Sequence, residues 1–187
     1  INGQDILIEI LKNKTQVIFI SGHFSNFELM AQHIEKSNIK LAAIYRPLNN
    51  FFLNNTMEEI RKKFICKKQI KKGLSGTREV LKHINDGYSI ALMIDQRVSE
   101  GIKVDFFNRK ALTTTIPAQL IKKYKLNVVP VHIERQNKHY FNLCFNKPII
   151  FDPSDDVEKI TLKLNKNLEK MILKNPSQWI WSHNRWK

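Results

Sequence analysis

The stretch "QVIFISGHFSNFELM" (residues 16–30) changes character twice. Val17 to Ile20 form an unbroken apolar run, which reads as a buried strand, and Ser21 and Gly22 are small residues suited to a tight turn. A helix then follows, because Phe27, Met30, Ala31 and Ile34 recur at helical spacing. Ser25 is a fitting N-cap, and Glu28 three residues later completes a capping box. Strand, turn and helix in this order are the building unit of an α/β fold.

Reading outward, the alternation continues. Ile6 to Lys12 is helical, "KLAAIY" is a second strand closed by Arg46-Pro47, and Phe52 to Phe64 is an amphipathic helix followed by the basic "CKKQIKKG". "TREVLKHINDG" is a helix stopped by Gly87 at C′, where a left-handed residue is wanted. "YSIALMID" is the clearest buried strand, with Asp95, Gln96 and Arg97 just past its apolar part, where open α/β sheets place their sites. "VDFFNRKA" is a short apolar element, and "TTIPAQLIKKY" is a helix with Thr114 or Thr115 near its cap. "NVVPVHIE" and "YFNLCF" are adjacent strands, and Val157 to Lys174 is a long helix ahead of the tail "PSQWIWSHNRWK". The reading is one α/β domain over residues 1–187, with no internal repeat or linker.

Composition narrows the function classes. Of 187 residues 42% are hydrophobic and 26% charged, which is globular rather than disordered. A net charge of +14 favours acidic partners such as nucleic acid, anionic lipid or an acidic protein. No apolar run approaches the roughly 20 residues that span a bilayer. Cys66 and Cys144 are isolated, without a CxxC pair, so they read as packing residues in a reducing compartment. His33, His83, His132 and His139 are dispersed, and no metal is expected. His183 in the tail reads as a packing or hydrogen-bonding residue.

His23 and Glu28 admit two readings: a turn residue followed by a capped helix, or a catalytic pair. On one continuous helix they would lie about 140° apart and could not face each other. With His23 in the turn and Ser25 opening the helix, Glu28 leans back toward the histidine. A carboxylate on one imidazole nitrogen fixes the tautomer and leaves the other nitrogen free to take a proton from a hydroxyl. The helix N-terminus adds backbone donors for negative charge.

Blocks further along decide between them. "GHFSNFE", "YRPLNN", "LMIDQR", "VDFFNRKALTTTIPAQL", "VVPVHIER" and "PSQWIWSHNRWK" occur in an order that resembles the lipid A biosynthesis acyltransferases, the late lauroyl and myristoyl transferases of Gram-negative bacteria. "HFSNFE" is similar to that family's His-x4-Asp/Glu motif. The resemblance implies the glycerolipid acyltransferase fold, an α/β sandwich with a seven-stranded, largely parallel mixed sheet flanked by helices. It implies transfer of a fatty acyl group from acyl carrier protein to a hydroxyl of a lipid A precursor. His23 would be the general base and Glu28 its orienting partner. Arg46 would hold a phosphate or polarise the thioester carbonyl, and Asp95, Gln96 and Arg135 match further substrate-binding positions.

The same resemblance implies no metal and no bound cofactor, the carrier's acyl-phosphopantetheine being the donor substrate. It places the enzyme at the cytoplasmic face of the inner membrane, against an anionic surface, and implies an N-terminal membrane anchor that these residues would lack. Some relatives carry an acidic residue where this chain has Arg97. Alternatives are a sister acyltransferase acting on another glycolipid or a lysophospholipid, or a basic nucleic-acid-binding domain, for which no signature is present.

Overall fold

The computed structural model describes the backbone of residues 1–187 and every side chain except those of Phe51 and Leu74. At its centre lies the opening strand, β1 (Val17–Ser21), buried along its whole length. In chain order the other strands are β2 (Leu41–Tyr45), β3 (Lys68–Lys71), β4 (Ser89–Met93), β5 (Ile102–Phe106), β6 (Arg109–Thr113), β7 (Asn127–Asn137) and β8 (Tyr140–Phe145). Six of them form one sheet in the order β3-β2-β4-β1-β7-β8, while β5 and β6 pair separately. The first five strands of that order run parallel, and β8 closes the edge antiparallel to β7. Strands buried on both faces need no polar alternation, which is why "VIFI" and "SIAL" are continuous apolar runs.

The helices are α1 (Gln4–Lys12), α2 (Glu28–Lys36), α3 (Phe51–Phe64), α4 (Leu74–Asn85), α5 (Ile116–Tyr124) and α6 (Val157–Lys174). One core joins sheet and helices, with Ile18, Ile20, Phe24, Ile90, Val128, Val129 and Leu168 fully excluded from water. Asp156 caps α6 by accepting the Lys159 N–H at 2.7 Å. Gly87 follows α4 at φ +84, with its N–H on the Ile84 carbonyl, as the C′ reading expects.

Several expectations need correction. The seven-stranded sheet is six strands plus a hairpin: "VDFFNRKA" is the tip of β5–β6, turned at Phe107 and Asn108, both left-handed (φ +49 and +58) as a two-residue primed turn requires. "KQIK" inside the basic stretch is the edge strand β3, of which Ile70 alone is buried, so it shows almost no apolar signal. Ser25 does not cap α2. The tail pairs with residues 23–25 instead: Phe24 bridges Trp179, Ser25 N–H donates to the Gln178 carbonyl and Ile180 N–H to the His23 carbonyl. Ser25 is thereby held at φ +41, and α2 begins three residues later with no side-chain cap.

The aromatic residues sort themselves by burial. Phe106 is fully enclosed and meets Phe107, Trp179 and Trp186. These rings fill core. Phe52, by contrast, is exposed, and the side chain of Phe51 lies outside the described residues.

Candidate active site

The register of β1 on β4 builds the site. Ser21 pairs with Met93, so two residues beyond the paired ends His23 stands beside Asp95. His23 Nδ1 lies 2.7 Å from Asp95 Oδ1. The other carboxylate oxygen accepts the His23 backbone N–H at 2.7 Å and the Trp179 indole N–H at 2.9 Å. Asp95 is only 3% exposed. Burial pushes its carboxyl up, but the hydrogen bonds and charge of His23, with the bond from Trp179, outweigh this and hold it below the usual range. Asp95 is thus ionised, and Nδ1 of His23 must carry the proton it donates. Nε2 is left as the free, basic nitrogen.

His23 opens on a cavity of about 410 Å³, also lined by Phe27, Glu28, Arg46, Arg61, Gln96, Thr114 and His183. Its ring stands edge-on to Phe27, with centroids 4.8 Å apart. Glu28 is in the cavity but does not hold the histidine. Its Oε1 accepts from Nε and Nη2 of Arg61 at 2.9 and 2.7 Å, while His23 Nδ1 is taken by Asp95. The expected His23–Glu28 pair is therefore replaced by two pairs. Without Ser25 as a cap, Glu28 is the first residue of α2 and faces α3.

Arg46 and Gln96 line the cavity. Arg135 does not. It sits over the Phe141 ring at 4.6 Å, bonds Asn26 Oδ1 at 2.8 Å through Nη2, and offers its backbone N–H to Gln178 at 2.7 Å, so it clamps the turn to the tail. Arg97 likewise faces the tail, with its N–H on His183 Nε2 at 2.9 Å and its Nε on the Lys187 carbonyl at 2.8 Å.

The sequence did not connect two tail residues with their partners. Trp179 is a direct partner of Asp95. Arg185 is fully buried, donating to the Leu112 carbonyl and Thr113 Oγ1, each at 2.6 Å, and stacked on Phe106. Burial lowers its guanidinium to about 10. The signal for both was the tail block "WIWSHNRW", which the sequence placed but could not dock. The signal for Asp95 as the partner was the matching position of His23 and Asp95 beyond two apolar runs.

The family described as bacterial lipid A biosynthesis acyltransferase matches residues 1–187. The chain belongs to that family. Among its curated relatives, lipid A biosynthesis acyltransferase 2 of Shigella flexneri is 24% identical over 183 residues, covering 96% of this chain and 58% of the relative. Lipid A biosynthesis myristoyltransferase of Escherichia coli (strain K12) is 22% identical over 182 residues, covering 96% of this chain and 56% of the relative. The chain spans somewhat more than half the length of these relatives.

Other features of this lipid A acyltransferase family member bear on its chemistry. Burial pushes the Cys66 thiol up to about 12, so it offers no thiolate for a covalent route. Among the described residues no group of three or more His, Cys, Asp or Glu could hold a metal. Among them, too, no helix is long and apolar enough to cross a membrane.

Proposed function

We propose that this chain is the catalytic core of an enzyme that passes a fatty acyl group from acyl carrier protein to a hydroxyl of a lipid A precursor at the cytoplasmic face of the bacterial inner membrane. The observation that carries this reading is the His23–Asp95 pair, whose free Nε2 opens on a cavity large enough for reacting groups. Family membership supports the choice of substrate class.

The acceptor hydroxyl gives its proton to His23 Nε2 as its oxygen attacks the thioester carbonyl carbon. Asp95 stabilises the imidazolium and keeps the ring in the required tautomer. Arg46, at the cavity wall, supports the oxyanion that forms on the carbonyl oxygen. Collapse of the tetrahedral intermediate breaks the carbon–sulfur bond, and the departing thiolate takes the proton back from His23. The ester and the free carrier thiol leave, and no metal or bound cofactor takes part. Glu28 holds Arg61 in the cavity wall and so shapes the place where the acceptor sits.

The test is transfer by the purified full-length protein from acyl carrier protein to a lipid A precursor. His23→Ala should reduce turnover by at least about a thousandfold, the scale of losing a general base together with its positioning. A His23→Ala variant that transfers at the wild-type rate would falsify the assignment.

A further inference from the structure

Helix α3 leaves an apolar stripe uncovered. At about 100° per residue, Asn54, Glu58 and Arg61 share one face, and Leu53, Met57, Ile60 and Phe64 share another, each set within roughly 60°. The polar face is the one turned to the protein. Glu58 is buried and takes Asn54 at 2.6 Å, Lys71 at 2.9 Å and the Tyr45 hydroxyl, and Arg61 holds Glu28. The apolar face, about 100° round the helix from the polar one, is largely open, with Leu53 57%, Ile60 44% and Phe64 54% exposed and Met57 half-buried. A helix selected for water alone would turn this stripe against the protein, since an apolar stripe gains free energy only when covered.

Position and charge say what covers it. Leu48 and Asn49, in the loop entering α3, line the catalytic cavity, as do Arg61 and Ile65 at the far end. The helix therefore runs along the cavity mouth. Lys62, Lys63, Lys67 and Lys68 are all exposed around its C-terminal end, in a chain of net charge +14. An apolar stripe bordered by lysines is the pattern of a helix lying in the interface of an anionic bilayer, with apolar residues among the acyl chains and lysines at the headgroups.

We propose that the Leu53-Met57-Ile60-Phe64 face of α3 docks on an anionic lipid surface and sets the cavity mouth against the membrane that holds the acceptor. This deepens the acyl-transfer reading and rests on it for the identity of the acceptor. Docking brings a lipid hydroxyl to His23 without extracting the whole lipid into water.

The experiment is co-sedimentation of the purified full-length protein with phosphatidylethanolamine–phosphatidylglycerol vesicles and with phosphatidylcholine vesicles. Ile60→Glu combined with Phe64→Glu should weaken binding to the anionic vesicles by at least about tenfold. The melting temperature and transfer to a detergent-dispersed acceptor should stay at wild-type values. Lys62→Glu with Lys63→Glu should weaken anionic binding and leave phosphatidylcholine binding unchanged. Three results overturn the proposal. The Ile60/Phe64 variant could bind vesicles as tightly as wild type; its melting temperature could fall, showing that another part of the chain covers the stripe; or it could lose acyl carrier protein while keeping vesicles, showing a protein-docking face. His23→Ala should bind vesicles normally, so failure of the catalytic reading is separable from failure of the docking.

Discussion

His23 and Glu28 are five positions apart, yet they end with different partners, held by different means. His23 meets Asp95 because two parallel strands are in register, and both residues lie just past the paired ends. Glu28 meets Arg61 because two helices pack side by side. A sheet fixes the positions at its strand ends through backbone hydrogen bonds, whereas a helix–helix pair depends on side chains that can re-form elsewhere. The sheet-built pair is therefore the more tightly fixed of the two arrangements.

The sharpest way to break this comparison is to remove charge from each carboxylate in turn. Asp95→Asn should lower turnover by about 10²–10⁴, because the amide can present its N–H to Nδ1 and impose the wrong tautomer. It should also reshape the pH–rate profile, since His23 then has no carboxylate to stabilise its charged form. Glu28→Gln should lower transfer as well, through a loosened Arg61, while leaving the shape of that profile unchanged. Identical profiles for the two variants would refute the division of roles. A smaller effect comes from Trp179→Phe, which keeps the ring but removes the N–H from Asp95 Oδ2. A lost hydrogen bond to a buried charge corresponds to about tenfold in turnover with little change in KM. A rise in KM at constant turnover would assign Trp179 to substrate binding instead.

The sequence made some of this legible. The apolar run, turn and helix at residues 16–30 specify the α/β unit, and the polar residues after "SIALMI" lie at the end of the sheet where His23 and the cavity are found. Asp95 and His23 were both visible, but their pairing spans a sequence separation of 72 and depends on strand order, which no local pattern encodes. The capping box failed for a non-local reason too: Gln178–Ile180 competes for residues 23–25 and takes Ser25 out of the capping conformation. The periodicity of α3 predicted an amphipathic helix and was silent on which side faces inward. Only the partners of Glu58 and Arg61 decide that.

The inner face of α3 makes the smallest and most specific prediction. Hydrogen bonds from Tyr45 and Lys71 outweigh burial and, with Asn54, hold the Glu58 carboxyl at about 2, down from 4.5. A carboxylate whose folded value is depressed stabilises the fold above its unfolded value, and that contribution is lost as pH falls through the folded one. Its share of stability is thus complete above about pH 5 and disappears progressively toward pH 2. Asp155, held at about 2 by Lys159 and Lys163, acts in the same window at the far end of the chain. Glu58→Gln should therefore flatten part of the acid limb of a stability–pH curve measured by denaturant unfolding, leaving the Asp155 part in place. An acid limb of unchanged slope would mean that Glu58 does not hold the inner face of α3 through its charge. The exposed placement of Leu53, Ile60 and Phe64 would then need another anchor, because the ion pair at Glu28 grips only the end of the helix nearest Arg61.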